Sequence, residues 1–273
     1  MNSTNRKGPL QESEPVVFLD RKDREYLERL DLKRPISIRG GKITVAEIIG
    51  LVEGSVVRSS LNEQFLVFRP SFPQLVPNLP RNAQVIYPKD IGPILVWADL
   101  FPGARVIEAG AGAGALSMAL LRAIGADGHL VSYEIREDFA ELAQKNVARY
   151  FGAAPNWTVK IGDVASALNE VEVDRVILDL PEPWQVIGAA WKALRPGGIL
   201  LCYLPTVLQV KNLVDALRED RRFACIETME TLMRFWHVKG MSVRPQHRMV
   251  AHTGFLTSTR RLADGQKDIP RAP

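Results

Sequence analysis

Residues 105–116 read RVIEAGAGAGAL, and this stretch decides the fold class. An apolar run leads into the alternating glycines Gly110, Gly112 and Gly114, and a helical pattern follows them. Glycine lets the backbone turn sharply and lets a ligand approach without a Cβ in the way. The free N–H groups of the following helix can meet an anionic group. The stretch therefore predicts a strand–turn–helix unit with a ligand site at the carboxyl end of the strand.

Strand and helix patterns alternate from this unit onward. Apolar, β-branched runs alternate with amphipathic runs whose apolar residues recur every three and four positions. The strand-like runs are HLVSYEI, WTVKIGD, VDRVILDLP and ILLCYLP, and the helical runs are ALSMALLRAIG, residues 137–150, IGAAWKALRPGG and residues 207–218. We expect the Pro-Gly-Gly of IGAAWKALRPGG to close that helix. The alternation predicts an α/β fold with a doubly wound, mostly parallel sheet.

The region before the glycine stretch has a different character. Residues 15–80 contain short extended runs punctuated by Gly and Pro, which is typical of a small, mostly β domain. Four prolines in residues 69–82 argue against a continuous helix or a central strand and mark a domain boundary. The predicted organisation is a disordered tail at 1–14, the β-rich domain at 15–80, a larger α/β domain at 81–262 and a second disordered tail at 263–273.

The bulk composition limits the function only weakly. With 35 Lys and Arg against 31 Asp and Glu, the net charge of +4 permits a nucleic-acid partner without requiring one. The two cysteines, Cys202 and Cys225, match no metal or disulfide pattern and are expected to be buried free thiols. The polar N-terminus lacks a secretory signal and no apolar run could span a bilayer. We therefore expect a cytoplasmic protein with neither a membrane nor a metal partner.

Acidic residues follow three of the predicted strands. Glu134 ends the second strand, where a carboxylate can bind both hydroxyl groups of a ribose. Asp163 closes KIGD, where it could accept a hydrogen bond from an adenine amino group or simply begin a turn. Asp179 begins the segment DLPEPW, in which two prolines stiffen the loop and Trp184 offers a stacking surface.

These features leave the cofactor open. Gly110, Gly112 and Ala115 also fit the G-x-G-x-x-G/A pattern of dinucleotide-binding domains. The residues permit an NAD-dependent oxidoreductase or a methyltransferase that uses S-adenosyl-L-methionine (SAM). A non-catalytic RNA-binding subunit with a degenerate fold is a third alternative, against which the retained Glu134 and Asp179 argue, together with Asp163.

Four segments of the chain form a pattern that occurs together in one known family. They are GGKITVAEIIGLVEGSVVRSS with FLVFRPSF, AQVIYPKDIGPIL, VIEAGAGAGALS with VSYEIR and LDLPEPW, and VRPQHRMVAHTGFL. From about residue 15 to 261, the chain resembles the bacterial and archaeal tRNA (adenine-58-N1)-methyltransferases, and its end looks like the actinobacterial branch. AQVIYPKD and DLPEPW are specific to that family, whereas the glycine loop is generic to class I methyltransferases. The chain departs from the family at Val45, where His is common, and at Ala113, where Ser is frequent.

The resemblance implies a class I, Rossmann-like methyltransferase fold, SAM as cofactor, tRNA as partner and a homotetramer. It implies these cofactor contacts: Glu108, Gly110, Gly112, Ala113, Gly114, Ala115 and Leu116 at the methionine end, Glu134 at the ribose, Phe139 beside the adenosine, Asp163 at the adenine and Asp179 at the methyl group. It further implies that Tyr87 and Tyr203 flank the target adenine and share the catalytic role with Asp179.

The chemistry of adenine N1 agrees with this set of residues. Neutral N1 already has a lone pair, so the enzyme must align it with the methyl carbon and the sulfur rather than remove a proton. Asp179 can accept from the adenine amino group and stabilise the positive charge that develops. Aromatic side chains suit a base flipped out of its stack. The residues expected to bind RNA, unless they are only a solvated face, are Arg244, His247, Arg248, His252 and Trp184.

Overall fold

The computed structural model describes residues 7–82 and 84–269, which form two compact units. One unit ends at Leu79 and also includes Tyr150–Ala153. The other comprises Pro80–Arg149 and the chain from Ala154 onward. The division after Leu79 falls within the proline-rich stretch of residues 69–82.

The first unit is a small β structure around its own apolar core. Its elements are β1 (Pro15–Asp20), β2 (Glu25–Arg29), β3 (Ile36–Ile38), β4 (Gly41–Ile43), β5 (Ser55–Arg58), β6 (Gln64–Phe68) and the one-turn helix α1 (Phe72–Leu75). An antiparallel sheet has the order β2-β1-β6-β5, and β3 pairs with β4 in a separate hairpin. Strand β6 buries Phe65 and Val67 and exposes Leu66, the alternation of a strand with one face on a core.

Both predicted tails are partly packed, contrary to expectation. Residues 1–6 and 270–273 lie outside the described residues. Leu10 is fully buried in the core of the first unit, and its N–H donates to the Leu51 carbonyl at 2.7 Å. At the other end, the Asp268 N–H donates to the Arg221 carbonyl at 2.7 Å. An apolar side chain and a pair of backbone groups therefore anchor segments whose polar composition predicted disorder.

The second unit is built on a seven-stranded sheet with helices packed on it. Its elements are α2 (Pro88–Trp97), β7 (Arg105–Ala109), α3 (Ala115–Ile124), β8 (His129–Glu134), α4 (Glu137–Tyr150), β9 (Trp157–Ile161), α5 (Val164–Ala167), β10 (Val173–Leu178), α6 (Ile187–Ala193), β11 (Leu194–Leu204), α7 (Val207–Asp220), β12 (Phe223–Glu230), β13 (Trp236–Lys239), β14 (Ser242–Pro245) and β15 (Phe255–Arg261). The sheet order is β12-β15-β11-β10-β7-β8-β9. Strands β7 to β11 are parallel, and β15 is antiparallel to both of its neighbours. The predicted doubly wound, mostly parallel sheet is confirmed.

The order of the strands determines where a ligand can bind. Strands β8 and β9 lie on one side of β7, while β10 and β11 lie on the other. The connections therefore leave in opposite directions between β7 and β10, and a crevice opens at the carboxyl ends of these two strands. Beneath this edge, Ile107, Val176 and Leu200 are fully buried in the apolar core, which gives the edge a rigid base.

Two local predictions in this unit are wrong. Helix α6 ends at Ala193, and the Pro-Gly-Gly segment belongs to the long strand β11, whose pairing with β10 shifts register there. Cys202 is buried as predicted, but Cys225 is exposed. Cys225 has a φ of 56° at an irregular point of β12, where the pairing with β15 shifts register and the side chain does not follow the regular alternation.

Candidate active site

The glycine loop between β7 and α3 combines structural glycines with an open one. Gly110 and Gly114 adopt φ values of 90° and 79°. A Cβ on Gly110 would overlap the carbonyl oxygen of Asp179, and one on Gly114 would lie 3.1 Å from a backbone oxygen of α4. A Cβ on Gly112, in contrast, would meet no atom closer than 3.9 Å. Packing thus requires two of these glycines, while Gly112 keeps a surface free for a ligand.

Glu108 lies beneath this loop and not on its surface. It is fully buried, and its Oε2 accepts hydrogen bonds from Ser117 at 2.6 Å and Ser132 at 2.5 Å. Its Oε1 has no hydrogen-bond partner among the described residues. Burial raises the pKa of Glu108 to about 7, and the negative charges of Asp179 and Glu134 act in the same direction. The buried, unpartnered oxygen is one that a cationic group in the crevice would stabilise.

Glu134 and Asp179 stand at the ends of β8 and β10, on either side of the loop. Glu134 Oε2 accepts from the Gly112 N–H and Oε1 from the Arg136 N–H, both at 3.1 Å. These bonds orient the carboxylate, and each oxygen keeps a further lone pair for a ligand hydroxyl. The Asp179 N–H donates to the Ala109 carbonyl at 2.9 Å. Burial raises the pKa of Asp179 to about 7, with the charge of Glu134 adding to it.

The remaining residues of the predicted cofactor site lie around the same edge. Ala115 and Leu116 are buried in the first turn of α3, and Ala113 is half-buried in the loop. Phe139 on α4 is largely buried, with the Arg136 guanidinium carbon 3.6 Å from its ring centroid. Asp163 caps α5, since its Oδ1 accepts from the Ala165 N–H at 2.9 Å. The turn-starting role that the sequence left open is observed for that oxygen, and the adenine contact stays a prediction.

Tyr203 and Tyr87, which are predicted to flank the target base, both belong to the α/β unit. Tyr203 lies near the end of β11 and is 9% exposed, and Tyr87 precedes the first residue of α2. Burial raises the pKa of Tyr203 to about 12, while a hydrogen bond with Thr253 lowers it and the groups of Asp90, Asp179 and Tyr87 raise it. The contact of Tyr203 and Tyr87 with the target base stays a prediction.

A buried polar network beside Tyr203 was not predicted. Lys89 Nζ donates to Asp90 Oδ1 at 2.7 Å and to the Thr231 carbonyl at 2.8 Å. Thr253 Oγ1 donates to Asp90 Oδ2 at 2.5 Å. Asp90 is fully buried and Lys89 is 7% exposed. The segments IYPKD and AHTGF carry these residues, but nothing in the sequence alone pairs positions so far apart in the chain.

The residues expected to bind RNA differ in their availability. Arg244 on β14 is exposed, as are His247 and Arg248 in the following loop. Trp184 is half-buried and packs against the apolar core, so only part of its ring could stack on a base. Arg244, His247 and Arg248 are therefore better placed than Trp184 for contacts with RNA phosphates.

His252 is committed to partners within the protein. Its Nδ1 lies 2.7 Å from Glu230 Oε1, and its Nε2 lies 2.8 Å from the Pro205 carbonyl oxygen. Both partners offer acceptor oxygens, which favours the protonated ring, in which both nitrogens donate. The Pro205 carbonyl and then Glu230 raise the pKa of His252 accordingly. A phosphate contact stays a prediction that competes with this structural role.

Two other features are absent from the part of the chain that the structure describes. No group of three or more His, Cys, Asp or Glu side chains there could hold a metal ion. None of its helices is both long and apolar enough to cross a membrane.

Four features together define a class I SAM-dependent methyltransferase fold. They are the sheet order, the antiparallel strand β15, the glycine loop and the acid that ends β8. The chain belongs to the family described as the tRNA methyltransferase complex GCD14 subunit, which matches residues 66–254.

Individual relatives agree with this membership. The tRNA (adenine(58)-N(1))-methyltransferase TrmI of Thermus thermophilus is 36% identical over 248 residues, 90% of this chain and 96% of that protein. The crystal structure of tRNA (m1A58) methyltransferase TrmI from Aquifex aeolicus has a TM-score of 0.83 at 29% identity, covering 93% of this chain and 99% of that one. A Thermotoga maritima structure described as a SAM-dependent O-methyltransferase has a TM-score of 0.90 at 31% identity, covering 95% and 97%. The resemblance to the actinobacterial branch stays a prediction.

Proposed function

We propose that this chain transfers the methyl group of SAM to N1 of adenine 58 in the T-loop of tRNA. The observation that carries the proposal is the glycine loop between two acids: Gly110 lies against the backbone of Asp179, and the Gly112 N–H donates to Glu134. Membership of a tRNA methyltransferase family supports the choice of substrate class. The relatives named for adenine 58 support the position.

The residues present fit SAM, which supplies a methyl group on a positively charged sulfur. Gly112 leaves an open cradle, and the interacting acids Glu108, Glu134 and Asp179 concentrate negative charge where that cation would sit. The two oriented oxygens of Glu134 suit a pair of ribose hydroxyls. The N-terminus of α3 suits the carboxylate of the methionine part.

Three side chains would act on the target base. Adenine N1 attacks with its own lone pair, so Asp179 has no proton to abstract from it. Asp179 in its ionised form accepts from the adenine amino group and stabilises the positive charge that grows on the ring. Tyr87 and Tyr203 would hold the flipped base so that its N1 faces the methyl donor.

The relative described as an O-methyltransferase favours a second candidate reaction. Methylation of a hydroxyl group requires a base, and a carboxylate with a pKa of about 7 such as Asp179 could serve as one. The two reactions give different products. The NAD-dependent alternative has no support in the family to which the chain belongs.

The test is methyl transfer to an unmodified tRNA transcript, followed by digestion and mass spectrometry of the nucleosides. We expect 1-methyladenosine as the product. A transcript with uridine in place of adenine 58 is the control and should yield none. Methylation of a ribose hydroxyl, or an unchanged yield from the control transcript, would contradict the proposal.

We propose a homotetramer, as the family resemblance implies, and the exposed hairpin of β13 and β14 supports association between copies of the chain. Cross-strand partners share a face, so Trp236 and Val238 lie on the same face as Pro245 and Val243. Trp236, Val238 and Val243 are between 57% and 70% exposed, an apolar surface that a second copy of the chain would cover. Light scattering should give the mass of a tetramer for the parent and a smaller species for Trp236→Ser; a monomeric parent would contradict the assembly. A cytoplasmic location stays the sequence-based expectation.

A further inference from the structure

We infer that Thr253 and Gly254 form a support against which the ring of Tyr203 packs. A buried ion pair, Lys89 with Asp90, holds this support in place. Gly254, Thr253 and Asp90 are thereby positioning residues for a tyrosine that is predicted to flank the target base. The inference rests on the proposed function, because it concerns the base that Tyr203 would receive.

Gly254 lies directly against the hydroxyl end of the Tyr203 ring. A Cβ on Gly254 would lie 2.5 Å from Cζ, 2.6 Å from Cε2 and 2.8 Å from the hydroxyl oxygen of Tyr203. The φ of Gly254 lies outside the left-handed region, so its backbone conformation is one that other residues also adopt. The contact with Tyr203, rather than the turn of the chain, is therefore what requires a glycine at this position.

The chain is fixed on both sides of Gly254. On the carboxyl side, β15 pairs with β11 in a register that places Leu256 opposite Tyr203. On the amino side, Thr253 Oγ1 donates to Asp90 Oδ2 at 2.5 Å. The sheet pairing and this hydrogen bond together hold the Gly254 backbone at a set distance from the ring.

The surroundings of the Thr253 bond strengthen it. Lys89 Nζ donates to Asp90 Oδ1 at 2.7 Å, and hydrogen bonds between charged partners are among the strong ones. Lys89 Nζ also donates to the Thr231 carbonyl at 2.8 Å, so both ends of the chain segment 231–253 are tied to the same ion pair. Asp90 is fully buried and Lys89 nearly so, and water therefore does not compete for these bonds.

Asp90 also belongs to the helical turn that begins after Tyr87. Its N–H donates to the Tyr87 carbonyl at 2.9 Å in the first turn of α2. Asp90 thus binds the backbone of Tyr87 through its N–H and the support of Tyr203 through its carboxylate. The two tyrosines would then hold a flipped base at a fixed place, and a displacement of about 1 Å can slow a reaction about 100-fold.

Gly254→Ala tests the contact with the ring. Because the support is fixed, the new methyl group should push the Tyr203 ring out of place. We expect single-turnover methyl transfer to the tRNA transcript at saturating SAM to become about 10- to 100-fold slower, with SAM affinity unchanged. A parental rate in Gly254→Ala would overturn the inference.

Gly188→Ala is the matched control. Gly188 also has a φ outside the left-handed region, and a Cβ there would meet no atom within 4 Å. The control variant should therefore transfer the methyl group at the parental rate, which separates the collision with Tyr203 from the general effect of adding a methyl group to a glycine.

A second substitution tests whether Gly254→Ala acts through the ring. Tyr203→Leu shortens the side chain and leaves room for the new methyl group. In the Tyr203→Leu background, Gly254→Ala should lower the rate by no more than about threefold further, because the effects of residues in contact are not additive. Full multiplication of the two effects would overturn the inference.

A pair of variants at Thr253 tests the bond to Asp90 and keeps the test decisive if Gly254→Ala does not fold. Thr253→Val removes the hydroxyl group at nearly constant shape and should slow methyl transfer about 10-fold, the equivalent of one hydrogen bond to a charged group. Thr253→Ser keeps the hydroxyl group and should recover most of the parental rate. Equal rates for the two variants would overturn the inference, whereas a parent that does not methylate the transcript at all would instead refute the proposed function.

Discussion

Substitution of Gly110 or Gly112 by Ala separates the structural part of the glycine loop from its ligand-binding part. A left-handed φ costs a non-glycine residue about 1–2 kcal/mol, which applies to both positions. At Gly110 the new methyl group also overlaps the Asp179 carbonyl oxygen, and such overpacking costs about 1–3 kcal/mol more. At Gly112 the methyl group enters open space in the protein, but it occupies the cradle proposed for SAM.

The expected results follow from this difference. At about 3 °C per kcal/mol, Gly110→Ala should lose about 2–5 kcal/mol of stability and melt roughly 6–15 °C lower, whereas Gly112→Ala should melt only roughly 3–6 °C lower. Calorimetry should show SAM affinity about 5- to 150-fold weaker in Gly112→Ala, from a clash of about 1–3 kcal/mol. Thermal melts and SAM titrations on the two variants and the parent provide the measurement. Equal melting temperatures for the variants, or parental SAM affinity in Gly112→Ala, would refute the assignment of this loop.

Three further predictions concern binding. Glu134→Ala should weaken SAM binding, because it removes hydrogen bonds to the Glu134 carboxylate that are worth about 1.5–3 kcal/mol each. Glu137 is an exposed acid nearby, and Glu137→Ala should leave SAM affinity unchanged. Parental affinity in Glu134→Ala would remove the ribose assignment. Because burial raises the pKa of Asp179 and Glu108 to about 7, both bind protons near neutral pH without ligand, and a cationic ligand favours their ionised forms. SAM affinity should therefore rise from pH 6 to 8 with proton release, seen by calorimetry in buffers of different ionisation enthalpy, and a flat profile without proton release would contradict it. For tRNA, the double variant Arg244→Ala with Arg248→Ala should reduce the slope of log affinity against log salt concentration by about 1 to 2. The double variant Lys192→Ala with Arg218→Ala removes the same charge elsewhere and is the control. An unchanged slope in the first double variant would mean that the C-terminal segment is only a solvated face.

The sequence predicts the elements whose local pattern and packing agree. Helix α4 begins and ends where its apolar spacing indicates, at Glu137 and Tyr150. Strand β2 was missed because its sequence, EYLER, is mostly polar and pairs at an edge of the sheet. Helix α2 was missed as well, since Pro93 lies inside it and suggests a break. Edge pairing and tolerance of a proline depend on neighbours that a linear pattern does not reveal.

Some residues of the candidate site could likewise be predicted from the sequence, and others could not. Glu134 and Asp179 could be predicted because they follow parallel strands, whose carboxyl ends meet at one edge. The depth of Glu108 beneath the loop, and the contact of Asp90 with Thr253, could not be predicted. These features depend on how side chains pack once the sheet has formed, and Thr253 belongs to a loop before the antiparallel strand β15. For Asp163, the sequence allowed two roles and could not choose the capping role that the structure shows.

The role of Asp179 is the central claim, and single-turnover methyl transfer to an unmodified tRNA transcript at saturating SAM tests it most directly. Asp179→Ala should fold and bind tRNA nearly as the parent does, yet transfer the methyl group about 100- to 1000-fold more slowly, since orientation and charge stabilisation matter most in the transition state. Asp179→Asn, which keeps an acceptor oxygen without the charge, should fall between the two. An Ala variant whose rate stays within about threefold of the parent would place Asp179 away from the reacting centre and contradict the account.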